Sequence, residues 1–125
     1  MIYGIGIDLV ENARMEKMLQ KWGEKFLSRV FSAGEIAYCG RHGQSSLHYG
    51  ARFAAKESFL KAIGTGLGRG VKLLEIEVVS EESGKPSIRL SGGAREFLEK
   101  AGIEKIHLSM THTKNYASAM VLLEK

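Results

Sequence analysis

The order in which hydrophobic periodicities follow one another narrows the fold of this chain more than any single residue does. Residues 2–10 alternate with period two, which puts Ile5, Ile7 and Leu9 on one face of a strand and Asp8, near its C-terminal end, on the other. Residues 11–30 switch to the helical period. Met15, Leu19, Trp22 and Phe26 share one side there, and a bend is expected at Gly23. Ser32 and Glu35 have the spacing of a capping box and open a short helix, while the polar stretch 40–46 reads as a loop. Residues 47–63 form a long helix that Gly64 stops. After an open glycine-rich loop at 64–70, residues 74–80 and 86–91 read as strands joined by a turn at Ser83-Gly84-Lys85. Residues 93–101 then make a short helix ending at Gly102, and 106–111 with 116–123 a closing hairpin. One strand, a helical block, then mostly strands around an inserted helix predicts a single α+β domain over residues 1–125, its antiparallel sheet packed on helices.

Composition removes several function classes. The 125 residues fit one domain, and the hydrophobic and charged fractions of 44% and 26% are those of a soluble globular protein. No apolar run is long enough to span a bilayer, and no basic region precedes the first apolar stretch, so neither a membrane anchor nor a secretion signal is expected. Cys39 is the only cysteine, which excludes an intramolecular disulfide, disfavours a thiolate metal site and suits a reducing cytoplasm. The net charge of +4 favours acidic partners, whether nucleic acid, acidic proteins or polyphosphates. Nucleic acid fits poorly, because the basic residues have no aromatic stacking platform interleaved with them.

Two carboxylates sit in unusual company. On the helical wheel Glu57 neighbours Gly50, Phe53, Ala54, Leu60 and Lys61, so it either pairs with Lys61 one turn on or serves a site. Asp8 either caps the following helix, faces solvent at the strand end, or ligates. An acid at a strand end and another inside a compact helix would together suit magnesium, which takes one or two protein carboxylates and fills its shell with water and substrate phosphates.

The segment Ile5-Gly6-Ile7-Asp8-Leu9-Val10 resembles the first signature of the phosphopantetheinyl transferases, and Phe53-Ala54-Ala55-Lys56-Glu57-Ser58-Phe59-Leu60-Lys61 resembles the second. The spacing between them, the trailing Gly64-Thr65-Gly66, Gly84-Lys85-Pro86 and Met110-Thr111-His112-Thr113 resemble the short bacterial branch, the holo-acyl-carrier-protein synthases. The resemblance covers nearly the whole chain. It implies the phosphopantetheinyl transferase-like fold, a homotrimer with active sites at subunit boundaries, and transfer of the phosphopantetheine arm of coenzyme A onto a serine of apo acyl carrier protein.

By the same resemblance Asp8 and Glu57 are the magnesium ligands, facing the pyrophosphate of coenzyme A. Attack at phosphorus builds negative charge that a divalent cation and an ammonium relieve, and Lys61 is the candidate ammonium. The base for the serine is Glu57 or a metal-bound water. Lys61, Gly64, Thr65, Gly66, Pro86 and His112 are the expected coenzyme A contacts; the 64–70 loop with Arg69 and nearby Lys72 either supplies amides and positive charge to phosphates or is only a flexible connection. His42, His48 and His107 read as ordinary surface residues. Arg14, Lys17, Lys21, Lys25 and Arg29 gather on one arc of the first helical block with Met18 among them. Such an arc is either a solvated face or, as the resemblance implies for Arg14, Met18, Lys21 and Lys25, a dock for an acidic carrier protein. A related transferase serving polyketide or peptidyl carriers is the alternative; the short single-domain length favours the fatty-acid type.

Overall fold

The computed structural model describes residues 1–64 and 70–125. Strand β1 (Ile2–Glu11) leads into helices α1 (Asn12–Trp22), α2 (Glu24–Val30), α3 (Ala33–Gly40) and α4 (Ser45–Ile63). A 3-10 turn at Leu73–Glu75, strands β2 (Ile76–Ser80) and β3 (Pro86–Leu90), helix α5 (Gly92–Ala101), and strands β4 (Lys105–His112) and β5 (Tyr116–Glu124) follow. The strands form an antiparallel three-stranded sheet in the order β1-β5-β4 and a separate β2–β3 hairpin. The expected α+β architecture is therefore present.

Three boundaries differ from expectation, each for a local reason. The helical block 11–30 is two helices, because Gly23 adopts φ +51 and separates α1 from α2. The loop at 40–46 is shorter, since α4 starts at Ser45. The strand expected from residue 74 begins at Ile76, after one 3-10 turn in which the Glu75 carboxylate accepts from the Lys72 N–H at 2.8 Å. The capping box stands as read: Ser32 Oγ accepts from the Glu35 N–H at 3.2 Å, and Glu35 Oε1 accepts from the Ser32 N–H at 2.9 Å.

Helix α4 is the axis of the molecule. It is covered on several sides, and Ala54, Ala55, Ser58 and Phe59 have no exposed surface. Its apolar residues consequently follow no single stripe. β1 crosses it at close range because Gly4 and Gly6 lack side chains: a Cβ on Gly6 would collide with the Ser58 carbonyl oxygen, and one on Gly4 with that of Ala62. The period-two alternation of β1 is as expected, but the glycine face with Asp8 and Val10 is the one turned to α4. The Ile5, Ile7 and Leu9 face points outward, 59%, 60% and 65% exposed. One core cluster lies between α4, the sheet, β2 and α5; a second, built on Met15, Val30, Phe31, Cys39 and Tyr49, joins α1, α2, α3 and α4. Burial pushes the Cys39 thiol up to about 11, so it stays protonated and inert.

Candidate active site

Asp8, Glu57 and Lys61 meet where β1 crosses α4. Asp8 lies opposite Ala119 in the β1–β5 ladder, and its carbonyl accepts from Ser118 Oγ at 2.8 Å, so β5 holds the backbone that carries the carboxylate. Lys61 Nζ donates to Asp8 Oδ1 and to the Ile7 carbonyl, each at 3.0 Å. The helix pairing considered for Lys61 with Glu57 is thus replaced by a bridge across to β1. Nor does Asp8 cap α1, whose N-cap is Glu11.

Glu57 is half-buried, and its carboxyl is held above the usual range by burial first and the Asp8 charge second, with Lys61 opposing. A raised carboxyl beside a second carboxylate marks a site where negative charge is concentrated and a cation would relieve it. The donor set fits magnesium: two hard oxygen ligands and, among the described residues, no third acid, histidine or cysteine that would complete an all-protein cage.

His112 and Pro86 come together elsewhere. They line a cavity of about 390 Å³ with Tyr38, His48, Arg52, Gly84, Met110 and Thr111. Asn12 fixes the turn after His112 by donating from Nδ2 to the Thr113 and Lys114 carbonyls at 3.0 Å. The His42 ring stacks on His48 at 4.1 Å, and His48 meets the His112 ring edge-on at 5.8 Å. His48, expected to be an ordinary surface residue, therefore belongs to this cluster, while His42 stacks on it from an exposed position. Burial, then the neighbouring His42, Arg52 and His112, hold the His48 pKa below its ordinary value. His107 does remain on the surface, paired with Glu124 at 3.0 Å.

Arg52 was not legible as a site residue. It is 4% exposed, its guanidinium sits 4.0 Å over the Tyr38 ring, and its Nε has no hydrogen-bond partner among the described residues. His48 and Glu57 are nine residues apart on α4, about 13 Å along its axis. Within one chain the expected coenzyme A contacts thus fall into two separate groups. Gly64 caps α4 in the left-handed conformation, φ +78, near Lys61. Thr65, Gly66 and Arg69 lie outside the described residues. A wider depression of about 790 Å³ opens between Glu11, Gln44 and Asn115 and is lined by none of Asp8, Glu57, Lys61, Pro86 or His112, so volume alone does not mark the chemistry.

On the outer side of α1 and α2, Met18 and Lys25 line a groove of about 300 Å³ with Trp22, Phe26, Arg29 and Val30. Lys21 Nζ lies 5.0 Å from the Trp22 ring centre, and Arg14 is exposed on α1. Of the four residues placed on one side of this block, Met15 is buried and Leu19 and Phe26 pack against its cluster, whereas Trp22, at the C-terminal end of α1, is 51% exposed.

Residues 4–121 match the family model of the 4'-phosphopantetheinyl transferase superfamily. The chain is 50% identical over 124 residues to the holo-[acyl-carrier-protein] synthase of Syntrophus aciditrophicus, covering 99% of this chain and 97% of that one. Its structure is similar to that of the holo-[acyl-carrier-protein] synthase from Neisseria meningitidis, with TM-score 0.93, 34% identity and complete coverage of both chains. It is also similar to the Helicobacter pylori holo-[acyl-carrier-protein] synthase in complex with coenzyme A, with TM-score 0.85 and 32% identity over 96% of this chain and 99% of that one. Two signatures brought together at one crossing, a shared backbone and full-length identity lead to one conclusion: the chain belongs to the 4'-phosphopantetheinyl transferase superfamily and is an enzyme.

Proposed function

We propose that this enzyme transfers the 4'-phosphopantetheine group of coenzyme A to a serine of apo acyl carrier protein, with magnesium, in the cytoplasm and in the service of fatty acid biosynthesis. The whole chain acts as one transferase domain. The observation that carries this reading is the meeting of Asp8, Glu57 and Lys61 at the β1–α4 crossing.

The serine oxygen attacks the phosphorus that bears the pantetheine arm. The bond to the bridging oxygen breaks, and adenosine 3',5'-bisphosphate leaves with the electron pair. Asp8 and Glu57 would hold magnesium, which when bound would supply positive charge against the pyrophosphate. Lys61 contributes a second positive charge beside the same oxygens. Glu57, made more basic by burial and by Asp8, accepts the serine proton directly or through water.

Pro86, His112, His48 and Arg52 bind the nucleotide end of coenzyme A, and Gly64, Thr65 and Gly66 the part near Lys61. The two groups lie apart within one chain, which supports a homotrimer whose active sites form at subunit boundaries. The outward Ile5, Ile7, Leu9 and Met120 side chains supply an apolar surface for such an assembly. The Met18–Trp22 groove, rimmed by Lys21, Lys25 and Arg29 and flanked by Arg14, docks the acidic carrier. No helix among the described residues is long and apolar enough to cross a membrane.

The test is a mass measurement on apo acyl carrier protein incubated with the enzyme, coenzyme A and magnesium. Gain of one phosphopantetheine is expected, lost in Asp8→Ala and Glu57→Ala while both remain folded. An unmodified carrier across metal and salt conditions overturns the reading. Light scattering at working concentration tests the trimer separately, and a monomer there removes it.

A further inference from the structure

The same crossing holds a feature that the transfer reaction does not require. Lys61 Nζ lies on Asp8 Oδ1 and on the Ile7 carbonyl at 3.0 Å each, so two of its three protons are committed to β1. Asp8 is the more covered partner, 18% exposed against 55% for Lys61, and the ammonium sits directly on its Oδ1. No comparable ion pair joins Lys61 to Glu57, one turn earlier on the same helix. A divalent cation cannot share Asp8 Oδ1 with an ammonium at this distance without strong like-charge repulsion.

From this arrangement we infer that Lys61 is a placeholder cation, occupying Asp8 in the metal-free enzyme and passing to the substrate's phosphate oxygens when a divalent ion takes its place. The inference rests on the metal reading of Asp8 and Glu57 and adds to it a competition. A half-exposed pair is weak enough to break readily, so the exchange is reversible. The bond to the Ile7 carbonyl keeps the ammonium at the crossing after it leaves the carboxylate. Asp8, Glu57 and Lys61 together carry one negative charge when both acids are ionised; a divalent ion makes this one positive, and the two negative charges of a pyrophosphate diester then return it to one negative. Metal and phosphate substrate are therefore bound cooperatively, each improving the site for the other. Free metal alone is held off by the resident ammonium.

The experiment measures Mn²⁺ binding to the full-length protein by the electron paramagnetic resonance signal of free Mn²⁺, without and with coenzyme A. Lys61→Gln should bind Mn²⁺ roughly fivefold more tightly than the wild type when coenzyme A is absent, the scale of a lost half-exposed ion pair. Addition of coenzyme A should then improve Mn²⁺ affinity less in that variant than in the wild type. Lys61→Arg, which keeps the cation, should bind as the wild type does. Circular dichroism confirms that each variant is folded. Equal or weaker Mn²⁺ binding by Lys61→Gln overturns the placeholder role while leaving the metal site intact. Absence of saturable binding in every form, with Asp8→Asn indistinguishable from wild type, overturns the metal reading and the placeholder together.

Discussion

Lys56 Nζ lies 2.8 Å from Glu35 Oε1, and neither side chain is exposed to solvent. The ammonium also donates to the Leu73 carbonyl at 3.0 Å and the Ile76 carbonyl at 2.5 Å, while Glu35 Oε2 accepts from the Val78 N–H at 3.0 Å. One charged pair thus ties α3, α4 and the start of β2 together at the residue next to Glu57. Burial pulls the lysine pKa down and Glu35 pushes it back up, so the charge persists because its partner is fixed. Lys56→Met leaves Glu35 charged, buried and unpaired, and should cost about 3–5 kcal/mol in urea unfolding. The double variant Lys56→Met/Glu35→Gln should recover part of that loss; a double variant no better than the single would show that the lysine's carbonyl contacts dominate.

The contact between β1 and α4 depends on missing side chains. Gly6→Ala places a methyl group on the Ser58 carbonyl oxygen, both of them backbone positions with little room to yield. Overpacking of this kind costs about 1–3 kcal/mol, and because Asp8 is two residues away the displaced strand should also lower transfer activity at saturating substrate. Thermal unfolding and steady-state kinetics on one preparation check both effects. Unchanged stability would mean that the strand slides without penalty.

Glu57 has a pH consequence with a definite sign. Its carboxyl is raised in the folded protein, so folding favours the protonated form. That contribution to stability is fully present below the unfolded carboxylate pKa and is lost as pH rises through the folded value. At neutral pH the ionised Glu57 therefore strains the metal-free fold. Glu57→Gln should stabilise the metal-free protein at pH 7, by less than about 1 kcal/mol after solvent screening at this half-buried position. The gain should vanish towards pH 4, and transfer should be lost throughout. Denaturant titrations across pH test the sign; destabilisation at pH 7 contradicts it.

The groove beside Gly23 separates apolar anchoring from charge steering. Trp22→Ala removes a large half-exposed anchor and should raise the KM for the carrier roughly tenfold or more, with the coenzyme A KM unchanged. Arg14→Glu should act on the association rate, with an effect that shrinks as salt increases. Stopped-flow binding at two ionic strengths resolves the two. A salt-independent loss for Arg14→Glu would point to altered packing of α1.

By itself the sequence determined the secondary structure to within a few residues, because periodicity, the Ser32–Glu35 box and glycine stops are local and act through neighbouring backbone. It also singled out Asp8 and Glu57, since the signatures around them are contiguous. Only the tertiary structure decided which face of β1 is covered: alternation separates two faces but does not say which one meets a helix. Close packing chose the glycine side and left Ile5, Ile7 and Leu9 outward. It likewise decided that Lys61 bridges to Asp8 rather than to Glu57, that Lys56 is a buried tie, and that His48 and Arg52 stand beside His112. Each of these pairs residues far apart in the chain, where geometry across the core sets the contact and local spacing carries no signal.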